Sequence, residues 1–214
     1  MDSVSGVGVI DKSVELLDAL RAAPLTLAEL TTATALPRAT VYRLAAALET
    51  HGLIRRDTEG RFALGLALVG LGAAASAALP VVDLAMPALE RLRRITGESV
   101  QLFVRQGNRR LCLAALDAVH ELRTIVAVGS LLPIDRGSAG HVLAGEVGKH
   151  GWTESVGERE AGVASVSAPV YSAVGALVAA VSVSGPIERM TRKPGSHHGA
   201  AVLTAAATIE GVLA

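Results

Sequence analysis

Serines alternate with small apolar residues in two stretches near the C-terminal end of the sequence. Ser165 and Ser167 lie in VASVSAP, and Ser182 and Ser184 lie in AVSVSGP. Successive side chains of a β-strand point to opposite faces, so each pair of serines is expected on one face of a sheet. Buried hydroxyls need hydrogen-bond partners. Two interpretations stay open: the backbone provides these partners, or a ligand with a carboxylate or another polar group does.

A short glycine-rich stretch is the second candidate for ligand binding. Gly137-Ser138-Ala139-Gly140 is predicted to begin a helix, and the unsatisfied N–H groups of a helix start favour a bound anion. Leu132 and Val126 can supply the apolar wall that small-molecule pockets usually have. No lysine or arginine is expected inside, so a ligand's charge would rest on dipoles and hydroxyls. Together with the serines, these residues predict a pocket for a small anionic or polar molecule.

The other reactive residue types form no recognisable catalytic or metal site. The six histidines are scattered, and the adjacent His197 and His198 point in different directions on a helix. Glu158 and Glu160 flank Arg159, which is more typical of a solvated loop than of paired catalytic carboxylates. No serine lies in a nucleophile-elbow sequence, and no glycine-rich phosphate loop follows a strand. We therefore expect no enzyme activity, no cofactor and no metal.

The composition is typical of a globular protein without a strongly charged surface. Of the 214 residues, 50% are hydrophobic and 19% are charged, and 20 basic residues balance 20 acidic ones. This neutrality counts mildly against nucleic-acid binding, since many such proteins are basic. The single Cys112 cannot form an internal disulfide, which is typical of a reducing compartment. The sequence begins without a signal-peptide pattern, so we expect a cytoplasmic protein.

The first 64 residues have the pattern of a winged helix-turn-helix. Thr26 and Glu29 form a capping-box pattern at the start of a short second helix. Pro37 fits the first turn of a third helix, where its missing N–H costs nothing. Two short strands, 53–56 and 61–64, then flank a turn. A first helix over 9–22 is predicted to bury Ile10, Val14, Leu17 and Leu20, and the third helix to bury Val41, Leu44, Ala45 and Leu48.

The open face at the start of the third helix carries residue types that recognise DNA. In a helix-turn-helix, the N-terminal residues of the second helix of the motif meet base edges in the major groove. Arginine can pair with guanine, and threonine can contact a base or a thymine methyl. Such residues also suit an ordinary solvated face, and the order of the elements favours DNA. The predicted DNA-binding residues are Arg38, Ala39, Thr40, Tyr42, Arg43, Arg55, Arg56 and Arg61, the last three in the wing.

The rest of the chain predicts a linker helix followed by an α+β domain. Residues 62–82 carry no charge and are about long enough to span a bilayer, but their glycines and Pro80 favour a buried linker helix over a membrane span. A helix over 81–96, with Leu84, Leu89 and Leu92 inward, and a final helix over 196–213 enclose a run of strands. The predicted strands are 99–105, 110–116, 122–128, 163–171 and 176–185.

Three stretches of the sequence resemble the IclR family of transcriptional regulators. LAELTTATALPRATVYRLAAALETHGLIRRDTEGRFALG resembles the DNA-binding signature of the family. VGSLLPIDRGSAGHVLA resembles the segment that opens its effector pocket, and GVASVSAPVYSAVGALVAAVSVSGPIERM resembles its closing strand pair. The resemblance implies an α+β protein with a winged helix-turn-helix over 1–64, a linker helix over 65–79 and a GAF-like effector-binding domain over 80–214.

The resemblance also implies partners and site residues. Members of the family bind double-stranded operator DNA as homodimers, which often pair into tetramers, and respond to small metabolites that are often carboxylates or aromatics. Carried over position by position, the effector contacts fall on Ser138, Ala139, Ser155, Ser165, Ser182 and Ser184, next to Leu132 and Gly137. Some relatives have aspartate where Ser155 stands, and cysteine where Ser165 stands.

The sequence departs from the family pattern at two places. His141 stands where the family usually has lysine. Few residues separate HVLA from GWTESVGERE, where members usually have a longer segment over the pocket. The stretch around Glu146 and Val147 is therefore either a true deletion or a place where residues are omitted.

The resemblance favours a metabolite-responsive repressor. SVGEREAGVASVSAPV and GPIERMTRKPG are similar to an actinobacterial subgroup tied to amino-acid biosynthesis genes, including the leucine branch. The short segment over the pocket keeps an alternative open, a DNA-binding protein with a degenerate sensor domain that regulates without an effector.

Overall fold

The structure is a computed structural model that describes residues 5–77 and 80–213. The chain divides into two compact units, residues 1–79 and 80–214. Residues 78 and 79, which end the predicted linker, lie outside the described residues.

The first unit is helical with a two-stranded antiparallel wing. The predicted capping box is confirmed, because Thr26 Oγ1 accepts from the N–H of Glu29 at 3.3 Å and the N–H of Thr26 donates to Glu29 Oε2 at 2.8 Å. Within residues 5–77, the helices are α1 (Gly8–Ala19), α2 (Leu27–Thr34), α3 (Arg38–Thr50) and α4 (Ala67–Ala77), and the strands are β1 (Ile54–Arg56) and β2 (Phe62–Leu64).

The core of the first unit confirms the predicted buried face of α3 and corrects that of α1. Val41, Leu44, Ala45 and Leu48 are buried, together with Phe62 of the wing. Ile10 and Val14 of α1 are instead 56% and 50% exposed, whereas Leu16 and Leu20 are buried. Residues 16 and 20 lie on one helical face, and the rest of the unit covers only the C-terminal half of α1.

Helix α4 follows the wing and exposes apolar side chains within its own unit. Leu66, Val69 and Leu71 are 77%, 69% and 60% exposed in the single chain, so burial of the linker helix at a subunit interface stays a prediction. Among the described residues, no helix combines the length and the apolar character needed to cross a bilayer.

The second unit is built on a six-stranded antiparallel sheet of order β5-β4-β3-β8-β7-β6. Its strands are β3 (Ser99–Gln106), β4 (Arg109–Leu116), β5 (Leu131–Pro133), β6 (Thr153–Val156), β7 (Val163–Tyr171) and β8 (Leu177–Pro186). Its helices are α5 (Val81–Thr96), α6 (Ser138–Ala144), α7 (Ile187–Met190) and α8 (Pro194–Leu213).

The two faces of this sheet have different chemistry. One face packs against α5 and α8 in the main core, which includes Leu89, Leu92, Val183 and Ile209. Leu84, which was expected inward, is 42% exposed. The other face lies under α6 and is partly polar, because the register pairs Ser165 with Ser184, Ser167 with Ser182, Gln101 with Ser182, and Ser155 with Ser165.

In the second unit, the strand predicted over 122–128 is not formed, whereas Cys112 is buried as predicted. Residues 122–128 form an irregular connection rather than a strand, since Leu122, Ile125 and Val128 are exposed and the strand that pairs with β4 is β5. Cys112 is fully buried, and burial raises the pKa of its thiol to about 12. The thiol is therefore protonated at neutral pH and behaves as a small apolar residue, as predicted.

Candidate functional site

The first candidate site is the open face of α3. Arg38 is the first residue of the helix, after Pro37, and is exposed together with Ala39, Tyr42 and Arg43. Thr40 is half-buried. Within the described chain, no ion pair or hydrogen bond engages the guanidinium of Arg38 or Arg43. The face therefore presents two free cations at the helix end that a helix-turn-helix places in the major groove.

The wing uses two of its three arginines to hold its own shape. Arg61 Nε donates to Asp57 Oδ2 at 2.8 Å, and its Nη1 lies 3.3 Å from Glu59 Oε2. Arg56 donates to the carbonyl of Gly60 at 3.2 Å, and its guanidinium carbon lies 4.2 Å from the centroid of the Phe62 ring.

Arg55 differs from the other two wing arginines. It is exposed, and no ion pair involves it in the part of the chain that the structure describes. Arg55 is thus the wing cation that is available for a phosphate.

The second candidate site is a cavity of about 30 Å³ between α6 and the polar face of the sheet. The structure brings all the predicted effector residues to this cavity: Leu132, Gly137, Ser138, Ala139, Ser155, Ser165, Ser182 and Ser184. Val126 also lines it, as expected for the apolar wall. The lining residues that the sequence did not single out are Gln101, Phe103, Arg110, Arg159 and Val163.

The serine hydroxyls at the cavity are hydrogen-bonded to other side chains: Ser184 donates to Gln101 Oε1 at 3.1 Å, and four others bond to one another. The hydroxyl of Ser138 donates to Ser165 Oγ at 2.8 Å and lies 2.7 Å from Ser167 Oγ. Ser167 donates in turn to Ser182 Oγ at 2.9 Å. These hydroxyls join α6 to β7 and β8. Each hydroxyl can also accept two hydrogen bonds, so the chain of serines still has capacity for a ligand.

A buried arginine corrects the expectation that no cation lies inside. Arg110 is 3% exposed, and its Nη1 donates to the carbonyl oxygens of Pro133, at 2.6 Å, and of Arg136. Burial and the neighbouring Arg159 lower the pKa of Arg110 to about 10, against the opposing effect of Asp135 and Glu158. Arg110 is still cationic at neutral pH. The alternation of β4, where Cys112 and Ala114 are buried, was a signal that could have found it.

A histidine bridge lies beside the start of α6. His141 Nε2 lies 2.8 Å from Glu158 Oε2, and His141 Nδ1 lies 2.7 Å from Glu146 Oε2. Partial burial lowers the pKa of His141, but the hydrogen bonds from both carboxylates outweigh this effect and raise it. At Glu158, the effect of burial is outweighed by the N–H of Gly137 and by His141, so its pKa is lowered. A histidine that contacts two carboxylates thus occupies position 141, where the resemblance implies a lysine.

The backbone anion site predicted at the start of α6 is only partly available. The N–H of Gly137 donates to Glu158 Oε2 at 2.9 Å, and the N–H of Gly140 donates to the carbonyl of Gly137 at 2.9 Å. The expectation that Gly140 offers its N–H to a ligand is therefore wrong. The described residues contain no cluster of side chains that could hold a metal ion.

The connection from α6 to β6 is short and closed by hydrogen bonds. Thr153 Oγ1 donates to the carbonyl of Glu146 at 2.7 Å and accepts from the N–H of Gly148 at 3.2 Å. Between α6 and β6 the described chain forms no further helix. The sequence as it stands therefore closes the fold with no helix over the cavity other than α6 in the segment from α6 to β6.

A helix-turn-helix with an arginine-bearing face, together with an α+β unit that encloses a polar cavity, is the architecture of a DNA-binding transcriptional regulator. The IclR helix-turn-helix domain matches residues 9–58, and the bacterial transcriptional regulator IclR C-terminal domain matches residues 73–148 and 143–210. The chain belongs to the IclR family. The two ranges of the C-terminal match meet at the short connection between α6 and β6.

Relatives and solved structures agree with this assignment. The HTH-type transcriptional regulator KipR of Bacillus subtilis (strain 168) is 26% identical, and the match covers 84% of this chain and 86% of KipR. The HTH-type transcriptional repressor AllR of Escherichia coli (strain K12) is 26% identical over 73% of this chain and 71% of AllR. These relatives are named as regulators rather than enzymes. An IclR homologue from Microbacterium hydrocarbonoxydans, solved with 4-hydroxybenzoate, has the same fold, with a TM-score of 0.78, 23% identity, and coverage of 96% of this chain and 98% of that one.

Proposed function

We propose that this chain is a sequence-specific transcriptional repressor whose operator binding is modulated by a small metabolite held in the cavity beneath α6. The observation that carries the proposal is the convergence of all the predicted effector residues on that one cavity. The solved homologue that holds 4-hydroxybenzoate, an aromatic carboxylate, supports a carboxylate or amino-acid-related ligand. The resemblance to an amino-acid biosynthesis subgroup points to amino-acid biosynthesis or catabolism genes as targets, and operator binding requires a cytoplasmic location.

The open face of α3 is the surface that reads the operator. Arg38 lies at the N-terminal end of the helix, where side chains reach base edges. Arg43 and Tyr42 lie further along the helix and suit phosphates. In the wing, Arg55 carries the free charge, while Arg56 and Arg61 hold the wing that presents it. The neutral composition of the whole chain is compatible with this local positive surface.

A homodimer formed through the first unit accounts for its exposed apolar side chains. Val9, Ile10 and Val14 of α1 are 58%, 56% and 50% exposed, and Leu66 and Val69 beside α4 are more exposed still. Contiguous exposed apolar surface is typical of protein interfaces. Two copies also suit two operator half-sites, and pairing of dimers would give a tetramer.

The alternative is a DNA-binding protein whose sensor has degenerated. The small cavity favours this alternative, because about 30 Å³ is on the order of the share of one water molecule in the liquid. Metabolite pockets are commonly about ten times larger. The hydroxyls that satisfy one another also point in this direction. Regulation by a ligand therefore requires a small molecule, or a cavity that expands when the ligand enters.

The proposal is tested by operator binding with the full chain on the DNA upstream of its own gene. Arg38→Ala should weaken binding by about 1–3 kcal/mol if Arg38 pairs with guanine, which is roughly 5- to 150-fold. The matched control is Arg94→Ala, since Arg94 is an exposed arginine of the second unit. Operator affinity that is unchanged by Arg38→Ala would overturn this assignment.

The sensor is tested separately with a panel of small carboxylates. A ligand that binds only the folded chain raises its melting temperature, and an effector must also change operator affinity. Stabilisation together with altered operator affinity supports the regulated repressor. Operator binding that no carboxylate alters, with no thermal shift, supports the degenerate sensor.

A further inference from the structure

The guanidinium of Arg110 has one satisfied edge and one unsatisfied edge. Nη1 donates to the carbonyl oxygens of Pro133 and Arg136. Nε is buried without any partner, and no hydrogen bond of Nη2 occurs among residues 5–77 and 80–213. Buried polar atoms in folded proteins nearly always have partners. The edge formed by Nε–H and Nη2–H therefore lacks a partner, and Arg110 lines the cavity.

The charge of Arg110 is compensated only at a distance, by Asp135 and Glu158. No carboxylate forms an ion pair with it in the described chain. Glu158, which is close enough to affect it, is directed at Gly137 and His141. Arg159 adds a second positive charge to the cavity lining. A buried charge without an ion-pair partner is strongly unfavourable, so an anion inside the cavity would stabilise Arg110, whereas Arg159 already has an ion pair with Glu160 at 3.5 Å.

The same unit contains an arginine edge, on the partly exposed Arg189, that a buried carboxylate does complete. Arg189 Nε donates to Glu98 Oε1 at 2.5 Å, and Arg189 Nη2 donates to Glu98 Oε2 at 2.8 Å. Glu98 is 3% exposed. Arginine binds carboxylates well through two parallel hydrogen bonds of this kind. Arg110 presents the same pair of nitrogens with no carboxylate opposite them.

The walls of the cavity limit the size of the partner and connect it to α6. The Phe103 ring centroid lies 5.4 Å from the guanidinium carbon of Arg110, and Leu132 adds further apolar surface. A Cβ added at Gly140 would overlap Arg110 Nη1 and the carbonyl of Ile134, so the guanidinium packs directly on the backbone of α6. The cavity of about 30 Å³ is on the order of one water molecule, so a carboxylate group enters only when its walls move apart.

We propose that Arg110 is the residue that selects the ligand of this cavity, and that it selects a small carboxylate held by the Nε–H and Nη2–H edge of its guanidinium. This inference rests on the proposed function, because it assigns a recognition residue and a ligand class to the same sensor cavity. Ser165 and Ser182 lie on the lining, accept hydrogen bonds from other serines, and have hydroxyl hydrogens that no described residue accepts, so they can donate to the rest of the molecule. Larger carboxylates require the cavity to widen around the same anchor.

The inference is tested by titrating the full chain with acetate and with pyruvate, while the arginine Nε–H signals are observed by ¹H–¹⁵N correlation spectroscopy. Acetamide is the neutral probe of the same shape, and sodium chloride at equal ionic strength is the anion control. We expect both carboxylates to shift the Nε–H signal of Arg110, and acetamide and chloride to leave it in place. The assignment comes from Arg110→Lys, which removes the signal and keeps the charge.

The matched variants are Arg110→Met and Arg109→Met, because Arg109 is an exposed neighbour on the same strand. We expect Arg110→Met to weaken acetate and pyruvate binding on the order of tenfold to a hundredfold, and Arg109→Met to leave it unchanged. An unshifted Nε–H signal in the unmodified chain overturns the inference without any variant. An equal response to chloride overturns the selection of a carboxylate.

The failure of this inference is distinguishable from failure of the proposed function. If carboxylates bind Arg110 without altering operator affinity, the role of Arg110 in binding is supported and the proposed regulation of operator binding is wrong. If a neutral metabolite alters operator affinity while acetate and pyruvate leave the Arg110 signal unaffected, the proposed regulation is supported and the role of Arg110 in binding is wrong.

Discussion

Replacing Arg55 by alanine should reduce the salt dependence of operator binding without destabilising the winged domain. Arg55 is exposed on β1, and the described chain gives its guanidinium no ion pair. Its removal therefore breaks no contact that holds the wing. Arg56 and Arg61 would be poor probes of the same question, because each of them stabilises the wing through contacts with Glu49, Gly60, Asp57 or Glu59.

The size of the change in salt dependence follows from the number of phosphate contacts that the variant loses. Each phosphate contact contributes about 0.9 to the slope of log K against log salt on double-stranded DNA. A homodimer would place Arg55 on each of two half-sites, so the variant should lose about 1.8 from the slope. Between 50 and 200 mM salt, the ratio of the operator affinity of the unmodified chain to that of Arg55→Ala should then change about 12-fold.

Fluorescence anisotropy with the operator duplex at several salt concentrations measures this slope. Arg94→Ala, in the second unit, should leave the slope unchanged, and both variants should keep the unmodified melting temperature. A slope for Arg55→Ala that equals that of the unmodified chain would remove Arg55 from the interface. A change of half the expected size would instead show that only one protomer places its wing on the DNA.

Two further predictions concern the second unit. Gly199→Ala should lower the melting temperature of the unit, at a cost of about 1–3 kcal/mol, because the added Cβ would lie 2.6 to 2.9 Å from ring atoms of Trp152. As a control in the same helix, a Cβ added at Gly211 has no atom within 4 Å, so Gly211→Ala should stabilise by up to about 1 kcal/mol. A stabilising Gly199→Ala would contradict the geometry. The His141 bridge should stabilise the unit most between about pH 4.5 and pH 6.5. The pKa of His141 is raised, so its contribution to stability is complete below about 6.5 and is lost as the pH rises through the raised value. The pKa of Glu158 is lowered, so its contribution is complete above about 4.5 and is lost as the pH falls through the lowered value. Thermal unfolding between pH 4 and 9 should show this dependence weakened in His141→Gln and kept in His120→Gln, and identical profiles for the unmodified chain and His141→Gln would exclude the bridge.

Local sequence signals predicted the elements that depend on local chemistry. The capping box at Thr26 and the buried stripe of α3 are set by neighbouring residues along the chain, and both are confirmed. The strands predicted over 99–105 and 110–116 are confirmed, and they pair as β3 and β4. The fold class followed from the order of these elements together with the resemblance, and the solved relatives share it.

The features that were predicted wrongly depend on contacts between distant parts of the chain. LRTIVAV was predicted to be a strand, but β4 pairs with Leu131–Pro133 instead, and Leu122 and Ile125 remain exposed. The apolar residues at the start of α1 suggested a buried face, but the other helices cover only its second half. Arg110 was missed because a charged residue at the end of a strand is usually solvated, and only the register of β4 turns it inward.

The positions of these missed contacts indicate where a ligand would act on the protein. Arg110 holds the carbonyl oxygens of Pro133 and Arg136, and Glu158 holds the N–H of Gly137. Both contacts end on residues 133–137, the segment that leads into α6. An anion bound at the Nε–H and Nη2–H edge would leave the first contact, made by Nη1, in place and would repel the carboxylate that makes the second. A response to such a ligand would therefore begin at the start of α6, and the apolar face that packs against α5 and α8 would be affected only afterwards.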